Sequence, residues 1–161
     1  MKKFIPLIII IVILIGLFQW GVGLNNTMVE KQESAKKQWS NVESAYQRRA
    51  DLIPNLVNTV KGYASHEKET LEGVIQARAN ATKTTIDPTN VTPEQMAAFQ
   101  ESQNTLTGAL SRLMVVAERY PDLKANQNFL ELQSQLEGTE NRINVERNRY
   151  NEVATDYNIY V

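Results

Sequence analysis

Hydrophobic and polar positions divide the chain into two unlike parts. Residues 4–24 form a 21-residue run whose only strongly polar member is Gln19. As a helix it would be about 30 Å long, the thickness of a bilayer's hydrocarbon core. From residue 25 onward the apolar positions become periodic. Met28, Ala35, Trp39, Val42 and Tyr46 follow 3-4 spacing, with Gln32 and Arg49 completing the heptad. That spacing predicts a first helix over residues 28–50. Asp51 can cap a new helix, and Pro54 then falls in its first turn, where a missing N–H is harmless. A second helix is therefore expected over residues 52–83, with Pro54 marking a helix start or a kink and the break just before it. Its stripe is Ile53, Leu56, Val57, Val60, Tyr63, Leu71, Val74 and Ile75, and it stops at the loop of residues 84–90.

The third helix has the best start signal. Thr92-Pro93-Glu94-Gln95 places a capping Thr, a Pro at the first helical position and a Gln that can close the reciprocal box. Met96, Phe99, Gln103, Leu106, Leu110, Leu113, Ala117 and Tyr120 hold the heptad until Pro121 ends it. A fourth helix follows from about Asn126. Its stripe is Phe129, Leu132, Leu136, Thr139, Ile143, Glu146, Tyr150, Val153, Tyr157 and Tyr160. A sustained 3.5-residue repeat on consecutive helices with short connections predicts an all-α fold: an antiparallel up-down four-helix bundle with left-handed, coiled-coil-like twist. The domain division expected is a transmembrane anchor over residues 1–24 and a bundle over residues 25–161.

Charge and composition narrow this further. The first segment carries Lys2 and Lys3 and no acid; the body then has 15 basic against 18 acidic residues, a net charge of −3. It has no basic block interleaved with aromatics, so no nucleic-acid partner is expected. Cysteine is absent, which excludes disulfides, Cys-ligated zinc and thiol catalysis. Trp20 sits near the far end of the apolar run, where an interfacial indole belongs. The rival reading, a cleaved signal peptide, fits less well, because Gly21-Val22-Gly23 is a weak cleavage site and Leu24 follows. A single-pass anchor held in the bilayer through residues 4–24 is expected, with the amino terminus inside and the bundle extracytoplasmic. Lys31, Lys36 and Lys37 on the far side are diluted by Glu30 and Glu33.

No catalytic set emerges. His66 is the only histidine, and His66-Glu67 lacks the second His of a zinc-binding helix. Ser65 and His66 are adjacent, so on a helix they point about 100° apart. No glycine-rich loop precedes a helix, and the acids are scattered without a calcium loop. Neither metal nor cofactor is expected, and the chain reads as no enzyme. Arg48, Arg49 and Asp51 are more informative. In the predicted fold they lie at the bend between the first two helices, with Arg49 on the inward stripe. They read as a structural ion pair or a partner-binding patch. Counting levels from that bend makes Glu131 the favoured partner of Arg49, with Asp122 second. Trp39 is expected in the core. Gly62, Gly108 and Gly138 should share one level beside Trp39 outside the inward stripe, a bare ring where another subunit could approach.

Three segments carry a family resemblance. Tyr46-Gln47-Arg48-Arg49-Ala50-Asp51-Leu52-Ile53-Pro54-Asn55-Leu56-Val57 resembles the signature of the LemA family. So do Glu118-Arg119-Tyr120-Pro121-Asp122-Leu123-Lys124-Ala125-Asn126 and Leu136-Glu137-Gly138-Thr139-Glu140-Asn141-Arg142-Ile143. The resemblance spans the chain. It implies a bacterial membrane protein with one amino-terminal anchor and a four-helix bundle, and no established enzymatic activity. Members commonly continue with an Arg-Arg-Phe-Pro-type tail, which this sequence lacks. The function expected is a membrane-anchored scaffold or assembly protein at the bacterial cell envelope. It would form a homo-oligomer, recruit a membrane protein partner, or both. The alternative is an accessory regulatory subunit of a membrane enzyme such as a protease. An enzyme of unrecognised type would need a buried polar pocket with convergent carboxylates.

Overall fold

The computed structural model describes residues 5–88 and 91–160, with side chains described from Ile11 onward. Lys2, Lys3, Phe4, Thr89, Asn90 and Val161 lie outside the described residues, as do the expectations that rest on them. The protein is all-helical, with no strand among the described residues. Its helices are α1 (Ile5–Tyr63), α2 (Lys68–Lys83), α3 (Pro93–Glu118), the single turn α4 (Pro121–Lys124) and α5 (Gln127–Tyr160).

α1 corrects the sequence expectation. No break occurs at Asp51 or Pro54; one helix of 59 residues, about 90 Å long, runs from the apolar segment to Tyr63. Pro54 lacks the N–H that the Ala50 carbonyl would otherwise accept. Arg78 of α2 fills that gap, its Nε donating to the Ala50 carbonyl at 2.6 Å. The proline ring itself is exposed, so its bulk falls on the solvent side. The stripe also crosses Pro54 in register. Trp39, Val42, Arg49, Ile53, Leu56 and Val60 are all buried, and their 3-4 spacing never slips. The true corner is the turn Ala64-Ser65-His66-Glu67, closed by the Glu67 N–H donating to the Ala64 carbonyl at 3.1 Å.

The later boundaries fall where expected. The Thr92 hydroxyl accepts from the Gln95 N–H at 3.2 Å, and the Gln95 side chain accepts from the Thr92 N–H at 3.0 Å. Pro121 follows the end of α3 and opens α4. Asn126 caps α5, its Oδ1 accepting from the Phe129 N–H at 3.0 Å. The heptad positions of the third and fourth stripes are buried or half-buried from Met96 to Tyr157. Ile75 and Tyr63 depart from their predicted stripe and are exposed.

Four contacts order α5 along α1. Asn126 donates to the Tyr63 hydroxyl, Arg49 to Glu140, Gln38 to Glu146, and the Tyr160 hydroxyl to the Leu24 carbonyl. Partner numbers on α5 rise as those on α1 fall. The core divides in two. One cluster joins Ile53, Leu56, Val60, Val74, Leu106, Leu113 and Leu123 with small residues such as Ala64, Ala77 and Ala109. The other, nearer the apolar segment, holds Trp39, Val42, Ile86 and Phe99, flanked by Tyr46 and Tyr150. Each large side chain buried this way contributes about 1.5–3 kcal/mol.

Candidate functional site

Between the two clusters lies a polar layer centred on Arg49, whose side chain is only 3% exposed. Its Nη1 donates to Glu140 Oε2 at 2.8 Å and to the Thr107 hydroxyl at 3.2 Å; its Nη2 donates to Gln103 Oε1 at 2.6 Å. Gln103, also buried, donates onward to the Ala81 carbonyl at 3.2 Å. One guanidinium thus ties α1, α3 and α5 together, and through Gln103 it reaches the end of α2. The guanidinium carbon lies 5.3 Å from the centre of the Tyr46 ring, a favourable cation–π distance. Burial pushes the Tyr46 phenol above its ordinary pKa, a shift opposed by the nearby Arg147 and Arg49. The Nε of Arg49 is buried without a partner.

The partner of Arg49 is therefore Glu140, not Glu131 or Asp122. The expected level was displaced because α1 turns at Ala64 instead of Asp51. Arg49 lies 14 residues below Tyr63, and Glu140 lies 14 residues past Asn126, the residue bonded to Tyr63. Glu131 sits nearer the corner and accepts from Gln135 at 3.2 Å; Asp122 is exposed on α4. Glu146, the one buried acid among the described residues, accepts from Gln38 at 2.7 Å, with Arg149 at 3.5 Å and Arg142 at 3.9 Å. Gln38, Gln103, Thr107 and Glu140 were missed as site residues. Gln103 stands on the inward stripe, and Glu140 directly follows the stripe residue Thr139. Once α1 is one helix, residue counting alone finds the Arg49–Glu140 pair.

The other candidates disperse. Arg48 is exposed, and so is Asp51, which accepts from Gln47 at 2.8 Å. Trp39 is buried at 3% exposure, with Phe99 and Tyr150 edge-on at 5.6 and 5.0 Å. Gly62, Gly108 and Gly138 do not form a ring beside Trp39. Gly62 lies two residues from the Ala64 corner, whereas Gly108 and Gly138 adjoin Thr107 and Glu140 at the Arg49 level. All three are exposed, with open space where a Cβ would stand. No group of three or more metal-ligating side chains converges among the described residues. A groove of about 260 Å³ opens between α3 and α5, lined by Leu110, Met114 and Leu136 with Arg49 and Glu140 at one end.

These features define an all-helical protein carrying one helix long and apolar enough to cross a membrane. The chain belongs to the LemA family, which it matches over residues 38–161. It is 28% identical over 152 residues to Protein LemA of Metamycoplasma hominis, covering 94% of this chain and 66% of that protein. It is also 27% identical over 153 residues to Magnetosome protein MamQ 2 and MamQ 1 of Paramagnetospirillum magneticum, covering 84% of this chain and 56% of each. The chain thus spans between about half and two thirds of the length of the curated relatives it matches. None of these names denotes an enzyme.

Proposed function

We propose that the protein is a membrane-tethered scaffold whose helical body stands upright on its anchor and either self-associates or recruits partners. The observation that carries this reading is the unbroken α1. The helix that holds the apolar segment also forms the core of the body, with no linker between them. A flexible tether would suit a body that searches for partners. A rigid one suits a body that holds them at a fixed height, with Arg49 about 40 Å beyond Leu24. In this reading the apolar segment is retained and residues 25–161 form an antiparallel up-down four-helix bundle with left-handed twist. The bundle faces out of the cytoplasm. The descending partner pairs on α1 and α5 and the Arg49 layer support the bundle.

Mass photometry of the detergent-extracted full chain tests the scaffold role. A large, defined homo-oligomer is the expected result. A second reading, an accessory subunit of a membrane enzyme, is favoured by the apolar groove between α3 and α5; a monomer would point to it. Orientation is checked with a cysteine at exposed Val115, which an impermeant maleimide should label in intact cells. Labelling only after lysis would reverse the topology. Intact mass of the membrane fraction should retain residue 1; a chain starting near Leu24 would remove the tether.

A further inference from the structure

The stripe of α5 does not stop where α2 and α3 stop. Beyond Tyr150 it continues as Val153, Tyr157 and Tyr160, held against the part of α1 that leads into the apolar segment. The Tyr160 hydroxyl donates to the Leu24 carbonyl at 3.3 Å, and the Lys31 amine stands 5.8 Å from the centre of the Tyr160 ring. Tyr160 is therefore placed between the levels of Leu24 and Lys31. Its neighbour Ile159 is then about 5 Å above Leu24 at 1.5 Å per residue. A headgroup layer is about 5–8 Å deep, the difference between the hydrocarbon core and the whole bilayer taken per side. Ile159 is 80% exposed, the most exposed large apolar side chain among the described residues. Nothing among the described residues covers it. Leu24 and Val29, at neighbouring levels of α1, are also exposed, and Tyr is a residue type enriched at this depth.

We propose that the last turn of α5, residues 157–160, is a second membrane contact, with Ile159 and Tyr160 seated in the headgroup layer beside the span. The proposal rests on the reading of α1 as membrane-spanning. The occupant is the lipid surface itself, because the patch is continuous with the apolar segment and lies at its rim. Local charge decides the lipid class. Lys31, Lys36 and Lys37 are offset by Glu30, Glu33, Glu152 and Asp156, so the contact is apolar and aromatic and does not require anionic lipid. Its consequence is mechanical. A body fastened at two adjacent helices cannot tilt freely about a single helix, which strengthens the fixed presentation that a scaffold needs.

The natural absence of cysteine makes the test direct. Ile159→Cys, Leu17→Cys in the span and Val115→Cys near the far end of α3 are made singly in the full chain. Each is labelled with an environment-sensitive fluorophore and reconstituted into phosphatidylcholine vesicles carrying a nitroxide at either a shallow or a deep position. The label at 159 should lose emission most with the shallow nitroxide, the label at 17 most with the deep one, and the label at 115 with neither. Exchanging part of the lipid for phosphatidylserine should leave the signal at 159 unchanged. An unquenched label at 159 beside a quenched one at 17 overturns the second contact and leaves the span standing. Loss of quenching at 17 removes the span and the proposal together. Deep quenching at 159 as strong as at 17, or quenching only with anionic lipid, overturns the headgroup contact as described.

Discussion

The two halves of the core solve the same filling problem with different side chains. Far from the apolar segment, α1, α2, α3 and α5 all contribute to one cluster, and α4 closes it with the fully buried Leu123. Small residues are frequent there: alanines at 64, 77, 81, 109 and 117 stand among Leu, Ile and Val. Nearer the membrane segment, α2 has ended at Lys83 and α3 has only begun at Pro93. Fewer backbones meet, and the volume is taken by Trp39, Phe99, Tyr46 and Tyr150, with Ile86 and Val91 supplied by the connecting loop. At the level of Trp39, Gln38 also bonds Glu146, and still lower α1 and α5 are bonded directly through Tyr160 and Leu24. The lesson concerns size. Where helices are many, small residues admit them; where they are few, aromatic rings bridge the distance.

The sharpest way to break this comparison is to empty each half in turn. Trp39→Ala should cost about 3–5 kcal/mol, since an indole is lost where no fourth helix can collapse into the space. Leu113→Ala, in the aliphatic half, should cost about 2–4 kcal/mol. Urea titration of the detergent-solubilised full chain measures both. A loss under about 1 kcal/mol for Trp39 beside a normal loss for Leu113 would mean that the aromatic half is not part of the cooperative fold.

The seam between the halves comes next. Arg49→Met strands Gln103 and Thr107, but Glu140, 44% exposed, can rehydrate. The expected loss is therefore about 1–3 kcal/mol, below that of breaking a fully buried pair. In double-mutant cycles the coupling of Arg49 to Glu140 should exceed that of Arg49 to Glu131, which should be near zero. Equal couplings would dissolve the layer as a register device.

Arg78→Met should cost about 1 kcal/mol, because it leaves the Ala50 carbonyl without a partner. The cost should shrink in a Pro54→Ala background, where a backbone N–H at residue 54 can serve that carbonyl. An undiminished cost would show that Arg78 acts through packing alone.

The smallest effect is a pH dependence. Burial raises the pKa of Tyr46 and Tyr150 above the ordinary 10.0. The unfolded chain then releases these protons first. Their stabilising contribution is full below the unfolded value and is lost as pH rises through the folded one. Stability should fall above about pH 10, and less so in the Tyr46→Phe, Tyr150→Phe double variant. An unchanged alkaline limb would show that other groups dominate it.

The pattern of side chains along the chain was enough for the all-helical class, the apolar segment and the stripes on the long stretches, except at Tyr63 and Ile75. Periodicity and local capping are properties of a few neighbouring residues, which is why Thr92, Gln95, Pro121 and Asn126 mark real boundaries. The burial of Trp39 was legible for the same reason. The corner was not. Pro54 is a strong local breaker that the tertiary structure overrides: Arg78, distant in sequence, takes the carbonyl that the proline frees. Conversely, Ala64-Ser65-His66-Glu67 contains no strong breaker. The chain reverses there because only reversal brings Leu71, Val74 and Ala77 back against α1 and α3 for burial. A shift of the corner from residue 51 to residue 64 resets the levels at which the helices meet, and it moves the partner of Arg49 from Glu131 to Glu140. Arg49 could thus be recognised as an inward-facing charge from its spacing, while its bond to Glu140 depended on where the helix turned, a choice made by burial across the whole body.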